Sequence, residues 1–341
     1  MSDEIFYEVI KDKIIDWAEV VCVLFEHCNL TCVFCPQDHN SRAYQTPIDI
    51  LLKVDPIVKF INSRSVSDYH IHIMGGELFQ DELVEQGFLD VYSEMINQIK
   101  SKVNPGKNLI FNFLTNLVYE RNVDKVLDFY IQHDLKVPVS YDPSGRFNAE
   151  QLAIFKRNIE VFKPYVRHIS LVLSKQNIDK VLKGDDYYDY LYDNFNMTWD
   201  HFLPGQTGMK AMMPKESELF AFYKLTIDRY PNTVNTRAFL KDSKPDSMSC
   251  TRGSSFTILH DNTIPKGCSG AVFMKDHKTD NLEGTQIVEN FIKERSCFSC
   301  EYYKRCSFSC FVSSDYKEMT KDLDECVFKK IFRYADGTLE Q

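Results

Sequence analysis

Apolar residues recur along this chain in two rhythms, short β-branched runs of strand length and longer stretches in which they return every three or four residues. Val20 to Phe25 is a continuous apolar run and reads as a buried strand. From Asp49 to Asn62, Ile50, Val54, Ile57, Val58 and Ile61 have helical spacing. Tyr69 to Met74 reads as a strand ending in Gly75-Gly76-Glu77, with a helix over Leu83 to Lys102 behind it. Leu109 to Leu114 reads as a strand ending in Thr115-Asn116, followed by a helix over Val123 to Gln132. Lys136 to Tyr141 is a strand that enters the Asp-Pro-Ser-Gly turn at 142–145. The alternation continues with a helix over Ala149 to Phe162, a strand over His168 to Leu173 and a short helix over Ile178 to Leu182. A strand over Met197 to Phe202 and a helix over Ser217 to Tyr230 complete it.

About six β-α units in succession predict an α/β fold, a partial TIM-type barrel of six units or an open version of one. In such barrels the reacting groups sit at the C-terminal ends of the strands. Cys28 to Cys35, Gly75 to Glu77, Asn116 and Ser140 to Asp142 all fall there. After about residue 235 the segments shorten, turns multiply at Lys244-Pro245-Asp246, Asp261-Asn262 and Gly267, and cysteines replace apolar periodicity. The expected organisation is a barrel domain over 1–235 and a small domain over 236–341 stapled by metal rather than by a large core.

Composition narrows the function classes. Hydrophobic residues make up 44% and charged residues 26%, a globular balance. A formal charge of −9 and the lack of any dense Lys/Arg run exclude a typical phosphate-backbone binder, so no nucleic-acid partner is expected. The N-terminus, charged throughout, has no signal-peptide core, and apolar stretches such as VVCVLF are too short to span a bilayer. A cytoplasmic protein without membrane contact is the expectation.

Eleven cysteines are many for a reducing compartment, where clustered thiols point to metal or redox chemistry. Four lie between 22 and 35 and seven between 250 and 326, which suggests two separate sites. Cys28, Cys32 and Cys35 on one short loop can wrap three corners of a cubane cluster and leave the fourth iron open. A structural zinc ion wants four ligands, and His27 or His39 could complete such a set, so spacing alone leaves both open. Cys22, inside the first apolar strand, reads as a buried core thiol. His70 and His72 read as satisfied core histidines, and the tyrosines at 187, 188, 190 and 192 as packing residues at near-helical spacing.

The loop Cys28-Asn-Leu-Thr-Cys32-Val-Phe34-Cys35 resembles the Cys-x3-Cys-x2-Cys signature of the radical S-adenosylmethionine (SAM) superfamily, including the aromatic residue before the last cysteine. Gly75-Gly76-Glu77 after the second strand and Thr115-Asn116 after the third extend the resemblance over most of the chain. It departs at Leu78, where the family usually has proline. The resemblance implies a [4Fe–4S] cluster on Cys28, Cys32 and Cys35 that binds SAM and generates a 5′-deoxyadenosyl radical. It implies a SAM site at Gly75, Gly76 and Glu77, with Glu77 near the methionyl ammonium. Asn116, Ser140 and Asp142 would be adenosyl or ribose contacts and Arg146 a partner for the carboxylate; turn-stabilising roles are the alternative for these four.

The order Cys250, Cys268, Cys297, Cys300, Cys306, Cys310, Cys326 resembles the SPASM extension of radical SAM enzymes, most specifically in the Cys-x2-Cys-x5-Cys-x3-Cys block at 297–310. The resemblance implies two auxiliary [4Fe–4S] clusters. Cys297, Cys300, Cys306 and Cys326 would hold one, and Cys250, Cys268 and Cys310 the other with only three thiolates. A further cysteine present in some relatives falls at Phe256, and the family's glycine before the second cysteine at Thr263.

Oxidation of a side chain in a peptide, by cross-linking or dehydrogenation with the auxiliary clusters taking the electron, is the expected reaction. Dehydrogenation of a small molecule is the alternative, and a zinc-stabilised binding protein the rival from another class. Fewer than about 20 residues precede the first strand, so a fused leader-binding domain is not expected and a separate leader-binding protein could serve. An external one-electron donor of flavodoxin or ferredoxin type is the further expected partner. Ser269 stands where sulfatase-maturing relatives carry an aspartate after the second SPASM cysteine, which counts against that activity.

Overall fold

The computed structural model describes residues 17–35, 37, 46–202, 209–240, 255–265, 293–303, 305–306 and 322–338. The six strands read from the sequence are all present: β1 (Trp17–Val23), β2 (Asp68–Met74), β3 (Asn108–Phe113), β4 (Val137–Ser140), β5 (Val166–Leu173) and β6 (Met197–His201). All pair in parallel, β1-β2-β3 in one sheet and β4-β5-β6 in a second, and a parallel bridge between Thr115 and Val139 joins the two. The fold is therefore α/β with parallel sheets.

Alternation along the strands separates two environments. On β2, Tyr69, Ile71 and Ile73 are fully buried in the core, while His70, His72 and Met74 on the opposite face are half-buried. Met74, Leu114, Ser140, Val172 and His201, from the ends of five strands, line one cavity, so the half-buried face curves around it. A hydrogen bond of 2.6 Å from Arg167 Nη1 to Asn112 Oδ1 crosses that inner face from β5 to β3.

The helices follow their patterns with two interruptions. The helix expected over 49–62 is two, α1 (Pro47–Leu51) and α2 (Val54–Asn62), because Pro56 has no N–H to donate to the Leu52 carbonyl. The helix expected over 83–102 also divides, into α3 (Asp81–Glu85) and α4 (Phe88–Lys102), at Gly87 with φ 85°. Phe88, Tyr92, Met95, Ile96 and Ile99 then bury one face of α4. Then come α5 (Val123–Gln132), α6 (Ala149–Phe162), α7 (Lys175–Lys183), α8 (Asp186–Asn194), α9 (Glu216–Arg229) and α10 (Val234–Arg237). The tyrosine run lies on α8 and packs: Tyr188 is buried against Tyr230, and Tyr187 meets Tyr141 edge-on at 5.4 Å. Cys22 is fully buried in the core, where burial pushes its thiol up to about 12.

A seventh strand, β7 (Ser255–Ile258), pairs in parallel with β1 and extends the first sheet to β3-β2-β1-β7. Phe256 stacks on Phe60 of α2 at 4.9 Å. The turn after β7 is clamped by Lys53, which is fully buried and donates from Nζ to Leu259 O (2.7 Å), His260 O (3.0 Å) and Asn262 Oδ1 (2.8 Å). At the far end, α11 (Val327–Ala335) packs on α9, with Tyr334 donating to Asp228 at 2.8 Å. No helix among the described residues is long and apolar enough to cross a membrane.

Replacing Lys53 by methionine leaves two carbonyls and an amide oxygen without their donor. Lys53→Met is expected to cost about 2–3 kcal/mol in urea unfolding of the anaerobically purified protein. A loss below about 0.5 kcal/mol, the range of ordinary surface changes, would show that the clamp does not hold β7.

Candidate functional site: two cysteine-lined cavities

Residues 24–35 leave β1 without regular structure and are held by backbone contacts on two sides. On one side, Leu24 donates to Met74 O (2.7 Å), Gly76 N to Phe25 O (2.8 Å) and Glu77 N to His27 O (3.2 Å). A Cβ on Gly75 would lie 2.6 Å from Phe25 O, and one on Gly76 would overlap the His27 carbonyl. Glycine is required at both positions by the approach of the cysteine loop's own backbone. On the other side, Val33 N donates to Gly145 O at 3.0 Å, and Gly145, at φ 75°, leaves no space for a Cβ beside Val33.

So held, Cys28, Cys32 and Cys35 line one cavity of about 260 Å³ together with Gly75, Gly76, Glu77, Asn116, Ser140 and Arg146. Six of the seven residues expected at a SAM site therefore lie on it. The seventh, Asp142, does not. Its buried carboxylate accepts from Val172 N (2.8 Å), Asn177 Nδ2 (2.7 Å) and Arg146 Nε (2.6 Å). Asp142 thus fixes Arg146, whose guanidinium lies over the Phe34 ring at 5.3 Å. Burial opposes the Arg146 charge, but Asp142 together with the Cys32 and Cys35 sulfurs outweighs it and holds the guanidinium cationic.

Glu77 lines the cavity yet has its oxygens engaged. Oε1 accepts from Phe79 N (3.0 Å) and Thr115 Oγ1 (2.9 Å), and Oε2 from Asn116 N (2.6 Å). Burial pushes this carboxyl up to about 7 against the pull of those three donors. Asn116 in turn donates Nδ2 to Asn29 Oδ1 (2.9 Å), and Asn29 donates to Val118 O. Glu77 and Asn116 tie the Gly-Gly turn, the end of β3 and the cysteine loop into one unit.

Burial pushes the Cys28 thiol up to about 12 and Cys35 to about 11, and raises Cys32 as well. Iron binds the thiolate, so the chemistry of this donor set couples cluster assembly to proton release. Among the described residues no three His, Cys, Asp or Glu side chains converge as tightly as a single metal ion needs. His39, a zinc candidate, lies outside the described residues.

A second cavity is lined by Cys297, Cys300, Cys306 and Cys326, four of the seven C-terminal cysteines. Cys297–Ser299 is a 3-10 turn, Cys300 N closes it on Cys297 O at 2.9 Å, and Cys326 stands at the N-terminus of α11. Tyr302, Phe328 and Phe332 shape the cavity, and Arg295, 3% exposed, reaches it. Cys250, Cys268 and Cys310, and Ser269, lie outside the described residues.

No protein-family model matches the chain, and no curated protein does. Solved structures do. Over 94% of this chain and 97% of that one, the fold superposes on anSMEcpe with bound AdoMet at a TM-score of 0.65 and 17% identity. The anSMEcpe structure with AdoMet and the Cp18Cys peptide gives 0.64 at the same identity and coverage. Streptococcus suis SuiB bound to its precursor peptide SuiA gives 0.53 at 15% identity, over 92% of this chain and 76% of that one. The chain shares the fold of anSMEcpe and SuiB. At these identities the likeness is one of architecture, and the chemistry rests on the residues.

Within this fold the structure adds residues that the motifs did not mark. Gln37 donates to Gly75 O at 2.7 Å and ties the end of the cysteine loop to the glycine turn. Asp200 pairs in register with Val172, a cavity residue, and its neighbour His201 lines the cavity. Solvent reaches Asp200, yet protein surrounds it, and burial pushes its carboxyl up to about 6, with Asp142 and Glu19 acting in the same direction. The alternation of β6 was the available signal for this residue, which faces the way of Thr198 and not of Trp199.

Gly76→Ala forces the cysteine loop away from the turn. If Cys28, Cys32 and Cys35 hold a cubane, the variant is expected to lose about four iron per chain, while any iron bound at the second cavity stays. Iron analysis with electron paramagnetic resonance checks this, and full iron content in the variant would refute it.

Proposed function

We propose that this chain is a radical SAM oxidoreductase that oxidatively modifies a side chain of a peptide. The observation that carries the reading is the placement of Cys28, Cys32 and Cys35, with the Gly75-Gly76 turn and Arg146, on one cavity at the C-terminal ends of parallel strands. A [4Fe–4S] cluster on these cysteines would supply the electron that cleaves SAM to a 5′-deoxyadenosyl radical, and one on Cys297, Cys300, Cys306 and Cys326 would take up the electron left after hydrogen abstraction.

The chain's own residues have definable tasks in this reading. Arg146, fixed by Asp142 and set on Phe34, presents a cation to the carboxylate of SAM. Ser140 offers its hydroxyl from the end of β4, and the Gly75-Gly76 turn leaves the cavity wall low. Glu77, already holding three donors, keeps that turn in place and sits within the field of an incoming ammonium. Asp200, its carboxyl pushed up to about 6, is more basic than an ordinary carboxylate and still largely ionised at neutral pH, suited to accept the proton released when the substrate is oxidised. Cys250, Cys268 and Cys310 are assigned to a second auxiliary cluster by the SPASM resemblance. The division into a domain over 1–235 and one over 236–341, a separate leader-binding protein and a flavodoxin or ferredoxin donor belong to the same proposal, as does a cytoplasmic setting.

A peptide substrate is favoured because two proteins of this fold, anSMEcpe and SuiB, have been solved with peptides bound. A small-molecule substrate is the alternative. Purified without oxygen, the protein is expected to be brown, to carry roughly 11–12 iron per chain, and to release 5′-deoxyadenosine from SAM on reduction. Replacing Cys28, Cys32 and Cys35 by alanine should remove roughly four of those iron atoms and all of the nucleoside. Bound zinc with no reductive cleavage would overturn the proposal. Mass spectrometry of a peptide encoded beside the gene and co-expressed with it separates peptide from small-molecule chemistry. Once a substrate is in hand, Asp200→Asn is expected to slow product formation on the order of 10²-fold while 5′-deoxyadenosine still forms. Unchanged product formation would remove Asp200 from the chemistry.

A further inference from the structure

The interior beneath the first cavity holds a cation that none of the steps above uses. Arg167 lies at the start of β5, where Val137 pairs with Val166 but Pro138 pairs with His168. Arg167 is thus the extra residue of a β-bulge, which re-aims a side chain. Its Nη1 donates to Asn112 Oδ1 at 2.6 Å across the inner face. Asn112 stands two residues before Leu114, a cavity residue, so this contact lies roughly 7 Å below the cavity along the strand. Solvent reaches the layer, for the side chain of His72, in register with Asn112, is 28% exposed.

Donors outnumber acceptors here. An arginine side chain can only donate, so the oxygen of Asn112 has to face it. That turns Asn112 Nδ2 the other way, buried and without a hydrogen-bond partner. Among the described residues no carboxylate forms an ion pair with the guanidinium. Glu19, on the same face, stands at His72 Nε2 at 3.4 Å. Burial, and after it the Arg167 charge, holds His70 and His168 toward their neutral forms, His168 down to about 4. Arg167 is left as a fixed cation in this layer.

Donors without acceptors suit a guest that only accepts, and an ionised carboxylate is such a guest. A guanidinium meets it with two parallel N–H···O bonds, which strengthen where protein excludes water. We infer that Arg167, positioned by Asn112, anchors a carboxylate of the substrate, either an acidic side chain or the C-terminus of a peptide. A carboxylate held there leaves a residue one or two positions along the substrate at the cavity, since successive Cα atoms are about 3.8 Å apart. The anchor rests on the peptide reading above and narrows it to substrates with a carboxylate close to the modified residue. A chain of formal charge −9 repels anions at long range, so a preference for them has to come from a local cation.

The test uses the anaerobically purified holoenzyme with SAM and pools of acetylated pentapeptide amides. Each pool has a fixed central Glu, Gln, Asp or Asn among random uncharged positions, and a further pool of uncharged residues ends in a free carboxylate. Mass spectrometry of the bound fraction reads the outcome. The native protein is expected to retain a carboxylate pool about 10-fold better than its amide counterpart. A preference for the Glu or Asp pool identifies a side chain as the guest, and one for the free-acid pool identifies the C-terminus. Arg167→Gln, which removes the charge, should lower that preference below about 2-fold. No preference in the native protein, or one that survives in Arg167→Gln, overturns the inference. If that variant does not fold, Asn112→Asp decides. It sets an internal carboxylate on Arg167, and a surviving preference there overturns the inference as well. Preference without reductive cleavage of SAM keeps the anchor and removes the proposed reaction, whereas cleavage without preference keeps the reaction and removes the anchor.

Discussion

Between Phe25 and Cys28 the backbone runs so close to Gly75 and Gly76 that neither position has space for a Cβ. Much else at the first site follows from that approach. It sets the start of the cysteine loop against the end of β2, so that the sheet itself, rather than a flexible connection, fixes where Cys28 stands. Gly145 performs the same service from the β4 side by accepting from Val33. A loop without regular structure is thereby pinned at two points, and the entropy of ordering it is offset by bonds to elements already ordered by the core.

The hydrogen bonds around this contact are arranged inward, and that arrangement separates residues that touch the cavity from residues that build it. Glu77 and Asn116 have polar atoms on the wall, but most of their bonding capacity holds the strand ends to the cysteine loop. Asp142 is removed from the wall altogether and acts on it through Arg146. A carboxylate with three protein donors costs less to bury than a bare one, and Asp142 has Arg146 as a counter-charge besides. These acidic residues are better understood as part of the frame that gives Arg146 and the thiols their positions.

The sequence showed the strands and the cysteines well because their signals are local. The six strands recur as short β-branched runs, and the spacing of Cys28, Cys32 and Cys35 carries its geometry within one loop. Apolar periodicity over 49–62 and over 83–102 runs through both breaks and so predicts one continuous helix in each. Pro56 and Gly87 interrupt the backbone without interrupting the hydrophobic face. β7 escaped for another reason. Four residues long, it is a strand only through pairing with β1, more than 200 residues earlier, and no local pattern announces such a partner. The same holds for the bonds that turn Asp142 and Glu77 inward. They depend on Val172, Asn177 and Thr115, each about 30 residues or more away, so type and position could nominate those residues but not say which way they face.

The inner face of the strands argues for what the hollow receives. A closed parallel barrel fills its interior with layers of branched apolar side chains and becomes a packed core. Here the corresponding face carries Glu19, His70, His72, Asn112 and Arg167, and these bond to one another, with Glu19 and His72 at 3.4 Å and Arg167 on Asn112. Burial keeps His72 and His168 toward their neutral forms, so the layer offers donors and acceptors more than charge. An interior built this way would be a poor core, since each polar group needs a partner that packing cannot supply. It suits a polar guest that brings hydrogen-bonding groups of its own. The peptide proposed as substrate, with a donor and an acceptor at nearly every residue, is a guest of that chemistry.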